Sequence, residues 1–156
     1  GAGRDGEPTA HRALAGQGPR EGELRRRAGR LGIADRVHLL GHRKGIARVL
    51  SGCDVFLMSS TSEGTPGALI EALAAGVPSA CTSVGGIADI TAGEERAALA
   101  PPWEDALLCD AMERAVFSPP DMRAVSRAIA REYGAPHVAR RLMDFYESLW
   151  AARTAG

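Results

Sequence analysis

The chain has 156 residues, one domain's worth and enough to bury a core. Its 19 basic residues balance 19 acidic ones, which removes any electrostatic pull toward nucleic acid or an anionic membrane. No eighteen apolar residues run together. The glycine-rich start also lacks the apolar core of a signal peptide, so the sequence reads as a soluble, unexported, cytoplasmic chain.

Residues 1–11 are polar and rich in glycine and read as a lead-in or linker. After them strand and helix signals alternate. Residues 12–15 form a short strand, 16–19 a turn, and 20–31 a helix ended by Gly32. Gly16-x-Gly18 imitates a dinucleotide fingerprint, but the next strand ends at Gly41-His42 without the acidic residue that would hold a ribose, and a tight turn with proline opening the helix suffices. Arg25, Arg26, Arg27 and Arg30 share their helix with Glu21 and Glu23 and with no aromatic residue, so they read as a solvated face.

Residues 37–40 form the next strand and 46–51 a helix, with the polar loop His42-Arg43-Lys44 at a strand end, where ligands of open α/β sheets collect. A strand comes next at 55–58, then a loop, a helix over 67–75 and a strand at 78–82 leading to Ser83-Val84-Gly85-Gly86. Beyond residue 93 the pattern is weaker. Residues 105–117 read as a helix broken by Pro119-Pro120, 122–133 as another capped at Gly134, and 136–152 as a last helix carrying Val138, Leu142, Phe145, Leu149 and Trp150 on one face, which would ordinarily point to the core. The alternation predicts an α/β fold, a Rossmann-like parallel sheet with helices on both faces. Cys53, Cys81 and Cys109 form no Cys-x-x-Cys pair, and the first two read as buried, reduced thiols. The four histidines show no metal-ligand spacing.

The chemistry concentrates in residues 59–78. One reading of Ser60-x-x-Glu63 is a capping box. Gly64, Pro66 and Gly67 would then fall in the first helical turns, so the better reading starts the helix near Pro66, with Glu63 in the loop and Glu71 on the helix. The free N–H groups and positive dipole end of that helix make an anion site. Glu71 stands about four residues, or roughly 6 Å, further up the axis. It shares its stripe with Gly67, Ala68, Ala74 and Ala75, while Leu69, Ile70, Leu73 and Val77 make the apolar face. Small neighbours let a ligand lie close. The arrangement suits a diphosphate at the helix N-terminus with a carboxylate gripping hydroxyls on either side of it.

At these residues the sequence resembles the family-4 retaining glycosyltransferases of the GT-B fold, whose C-terminal domain carries a Glu-x7-Glu motif that Glu63 and Glu71 fit. The match runs from Ala13-Leu14-Ala15-Gly16-Gln17-Gly18-Pro19 through Arg36-Val37-His38-Leu39-Leu40-Gly41-His42 to Val84-Gly85-Gly86, roughly residues 13–90. The resemblance implies a nucleotide-sugar-binding domain over residues 12–135 and a C-terminal helix and tail over 136–156, together an incomplete C-terminal half of a GT-B fold. It implies that Glu63, the catalytic residue, holds hydroxyls of the donor sugar. Gly64, Thr65, Gly67, Ala68 and Leu69 would offer backbone N–H groups to sugar and phosphate, Glu71 would take the ribose diol, and Gly41, His42 and Arg43 would border the base.

No metal or cofactor is implied beyond the nucleotide-diphosphate sugar itself. The family's basic Arg/Lys pair and its N-terminal acceptor domain lie outside the chain. Since the family's terminal helix crosses back toward that domain, the resemblance implies that some of the apolar stripe at 138–150 is left without its partner. By the resemblance the chain is therefore a partial enzyme, inactive alone, with that domain supplied in cis or by a separate chain, and with self-association through an incomplete sheet as an option. The reading is donor binding for glycan, glycolipid or cell-surface polysaccharide synthesis, at the inner face of the membrane in the intact protein. A non-catalytic sugar-nucleotide-binding domain and a sugar-nucleotide epimerase of the same fold are the alternatives.

Overall fold

A computed structural model describes residues 10–154, and the chain divides between Ile46 and Ala47 into two compact units. In the first, strand β1 (Arg12–Ala15) pairs in parallel with β2 (Val37–Gly41), Ala13 lying opposite His38. Between them run helix α1 (Glu21–Arg30) and a 3-10 turn at Ala34–Arg36. Leu31 ends α1 and Gly32 comes next at φ +66, as a left-handed exit requires. Two histidines 27 positions apart in sequence meet across the ladder, His11 Nδ1 lying 3.1 Å from His38 Nε2. No group of three metal-ligating side chains occurs among the described residues.

Helix α2 (Ile46–Leu50) begins at the boundary and leads into the second unit. There β3 (Phe56–Met58), β4 (Ser79–Thr82) and β5 (Ala98–Ala100) form a parallel sheet in the order β3-β4-β5. Every residue of the central strand is buried, as helices on both faces demand. On one face Cys81 joins Leu69 and Leu73 of α3 (Gly67–Ala74), Ile87 and Ile90 of α4 (Ile87–Thr91), and Val125 and Ile129 of α6 (Met122–Tyr133). On the other, Ala80 and Ala100 pack on Ala111 and Ala115 of α5 (Asp105–Phe117), whose small side chains let helix and sheet approach closely. Asp121 caps α6, its carboxylate accepting from the Arg123 and Ala124 amides at 3.0 and 3.2 Å.

The strand and helix pattern expected from the sequence is the observed one, with all strands parallel. Where a single sheet was expected, the described residues form two hydrogen-bonded sheets, one in each unit, and the short elements 34–36, α4 and β5 add to the expected ones. The last helix, α7 (Ala135–Thr154), packs on α6 and so belongs to the second unit, which places the expected 135/136 division inside that unit. Most of the expected lead-in falls on residues 1–9, outside the described residues.

The α7 stripe does not face the core, as the family resemblance and not the ordinary reading implied: Val138, Leu142, Phe145, Leu149 and Trp150 are 49 to 66% exposed. Two expectations are corrected. Gly134 ends α6 in an extended rather than left-handed conformation, at φ −64, ψ 140, because α7 begins at the next residue. Cys53 is only half-buried, although its thiol donates to the Val49 carbonyl at 3.2 Å. Cys81 is fully buried, and burial pushes its thiol up to about 12. None of the helices described is long and apolar enough to cross a membrane.

One ion pair ties the turn before β5 to α6. The Arg96 guanidinium donates to both Glu132 oxygens, at 2.8 and 2.6 Å, and to the Ile90 carbonyl at 3.1 Å. The hydrogen bonds from Arg96 hold the Glu132 carboxyl below its ordinary range. A group whose folded pKa is depressed adds stability above its unfolded value and loses it as pH falls through the folded one. With the Glu132 side chain 46% exposed, solvent screening limits this to about 1 kcal/mol. Glu132→Gln is therefore expected to leave acid unfolding below about pH 4.5 less steep than in the wild type, as followed by circular dichroism against pH. Parallel acid limbs for the two proteins would refute it.

Candidate functional site

Because β3 and β4 are adjacent and parallel, the loops after them leave the sheet at the same edge, the carboxyl ends of the strands. The first loop, residues 59–66, carries Glu63, and the second, 83–86, carries Gly85 and Gly86. Two hydrogen bonds join the first loop to the end of β4 and the loop beyond it. Thr82 Oγ1 donates to the Ser60 carbonyl at 2.5 Å, and the Gly86 amide donates to the Gly64 carbonyl at 3.1 Å.

The approach is so close that side chains are excluded at Gly85 and Gly86. A Cβ on Gly85, which sits at φ +51, would lie 1.8 Å from the Glu63 carbonyl oxygen, and one on Gly86 would lie 2.2 Å from that of Gly64. Glu63 is half-buried, and its Oε1 accepts from Ser60 Oγ at 2.6 Å. The Ser60-x-x-Glu63 spacing is thus a side-chain pair within the loop and not a capping box, since α3 starts only at Gly67.

Helix α3 divides as its sequence pattern requires. Leu69, Ala72 and Leu73 are buried, while Gly67, Ala68, Glu71, Ala74 and Ala75 are exposed on the opposite side. Pro66 precedes the helix in an extended conformation with no side-chain cap. The Gly64, Thr65, Gly67 and Ala68 amides find no acceptor among the described residues and remain available to an anion. Leu69 departs from expectation. Its amide donates to the Pro66 carbonyl at 3.1 Å and its side chain is fully buried, so it serves the core. Glu71 carries no salt bridge or side-chain hydrogen bond among the described residues, which leaves both carboxylate oxygens open.

Gly41, His42 and Arg43 lie at the end of β2 in the first unit. Gly41, at φ +66, accepts from the Gly16 amide at 2.9 Å and closes the ladder, while His42 and Arg43 are exposed. Sequence reasoning gave no role to Thr82 and weighed Ser60 only as a cap. The signal for Ser60 was the spacing itself, which both arrangements share.

The family model of the glycosyl transferases group 1 matches residues 4–117. The chain belongs to that family. A relative, the 2-deoxystreptamine glucosyltransferase of Streptomyces kanamyceticus, is 31% identical over 86% of this group 1 chain and 36% of its own length. The 2-deoxystreptamine N-acetyl-D-glucosaminyltransferase of Streptomyces fradiae is 29% identical over 97% of the chain and 37% of its own. The chain therefore spans little more than a third of these relatives. Among solved structures, Anabaena HepE in complex with UDP and glucose matches 90% of the chain and 41% of its own, with a TM-score of 0.81 at 19% identity. That likeness is one of fold, the α/β architecture of GT-B glycosyltransferases.

Proposed function

We propose that this group 1 chain is the donor-binding part of a retaining glycosyltransferase that takes its sugar from a nucleoside diphosphate. The observation that carries the reading is the placement of Glu63 and Glu71 on either side of the free amides at the start of α3, with small exposed residues along the Glu71 stripe. Free amides and the helix dipole would hold the diphosphate. Glu71 would accept from the ribose diol and Glu63 from sugar hydroxyls. HepE's complex with UDP and glucose supports a uridine nucleotide as the first ligand to try.

In the same reading residues 12–135 form the donor domain, the site takes no metal or cofactor, and the protein works in the cytoplasm, at the inner face of the membrane when intact. Acceptor contacts would come from a further domain in cis or from a separate chain. Support for such a partner comes from the Leu142, Phe145, Leu149 and Trp150 stripe of α7, an apolar surface left exposed among the described residues.

Glu71→Ala tests the donor site directly. A hydrogen bond to a charged group is worth about 1.5–3 kcal/mol net, so the variant should bind UDP at least tenfold more weakly in calorimetric titration. Its fold should be unchanged, because the Glu71 side chain holds no partner among the described residues. Equal affinity in the two proteins removes Glu71 from the site.

A further inference from the structure

Glu63 is the one proposed donor contact whose side chain is held by another residue, and the hold is built in layers. Its Oε1 accepts from Ser60 Oγ at 2.6 Å, a short, charge-assisted hydrogen bond. Ser60 is in turn fixed by its own carbonyl, which accepts from the buried Thr82 hydroxyl at the end of β4. The Glu63 and Gly64 backbone rests on Gly85 and Gly86 with no space for a Cβ between them. A glutamate in a loop ordinarily loses rotamer freedom when it grips a ligand. Here that freedom is already removed, and since Ser60 occupies only Oε1, the second oxygen stays open to accept from a hydroxyl.

We propose that Ser60 is a positioning residue that aims the Glu63 carboxylate at the sugar of the donor, with Thr82 and the Gly85-Gly86 loop fixing the backbone beneath both. The proposal rests on the donor-site reading above. It assigns Ser60 to recognition of the sugar and not of the nucleotide, because its hydroxyl touches Glu63 and no element of the α3 amide cluster. Preorganisation of this kind strengthens binding by lowering the ordering cost and adds no contact of its own.

The test is a calorimetric comparison of UDP, UDP-glucose and UDP-N-acetylglucosamine on the wild type, Ser60→Ala, Ser60→Thr and Glu63→Gln. Plain UDP is the internal control, since any loosening of the fold would move it too. In Ser60→Ala, UDP affinity should stay level while the extra affinity conferred by the preferred sugar falls by about tenfold, or ~1.4 kcal/mol. Ser60→Thr keeps a hydroxyl and should restore most of that increment. Glu63→Gln should lose it as well.

Three results overturn the proposal. If Glu63→Gln loses the sugar increment while Ser60→Ala keeps it, the donor reading stands and Ser60 does not position Glu63. If Ser60→Ala weakens UDP as much as the sugar nucleotides, Ser60 is merely structural. A wild type that binds none of the three ligands takes the donor reading down, and this proposal with it.

Discussion

Gly85→Ala should destabilise the second unit by about 2–5 kcal/mol and abolish sugar-nucleotide binding, although it adds a single methyl group. Two costs combine. Gly85 sits at φ +51, where a side chain costs about 1–2 kcal/mol. The new Cβ would also fall 1.8 Å from the Glu63 carbonyl oxygen and 2.9 Å from its carbon, so backbone and not a flexible side chain must yield. Overpacking of that kind typically costs about 1–3 kcal/mol. Gly93 separates the two terms, because it has φ +69 and nothing within 4 Å of a built Cβ. Gly93→Ala should therefore incur the backbone term alone. Urea denaturation of the three proteins decides the matter: equal losses in both variants would mean that the approach of Gly85 to Glu63 carries no weight.

That close approach marks the limit of what the residues disclose by themselves. Glu63 and Glu71 were legible because a strand, a glycine-rich turn and an apolar helix stripe each leave a local pattern, and α3 buries Leu69 and Leu73 while exposing Glu71 as the pattern requires. The role of Gly85 and Gly86 was not legible, since it depends on a loop 22 positions upstream brought alongside by the β3–β4 pairing. Strand β5, Ala98-Leu99-Ala100, has helix-prone residues and becomes a strand only because its register with Ala80–Thr82 gives it a ladder, a tertiary override of local preference. Helix α4 escaped because it has only five residues, too few for an apolar stripe to show a period, even though Gly93 at φ +69 follows its left-handed cap Ala92. The α7 stripe was legible as a stripe, but periodicity reports that a face is apolar and not what covers it.

Leu69→Ala should be the most destabilising change within the motif helix, and it should leave the site's chemistry alone. Leu69 is fully buried between Leu73, Cys81, Ile87, Ile90, Val125 and Ile129, a cluster drawn from four elements that cannot all relax into the space left behind. Deleting three buried carbons from such a core costs about 2–5 kcal/mol, transfer and cavity terms together. For a domain with about 5–15 kcal/mol in hand, that is a large fraction of what keeps it folded. Alanine nevertheless keeps the backbone amide, which the Pro66 carbonyl already occupies, and the exposed stripe of Gly67, Ala68 and Glu71 is untouched. UDP affinity measured well below the unfolding transition should then match the wild type, while the denaturation midpoint drops sharply. Glu71→Ala should show the reverse, with stability kept and affinity lost. If Leu69→Ala instead weakened UDP binding at full occupancy of the folded state, the two faces of α3 would not be separable, and the ligand would have to reach the helix from the side that now forms the core.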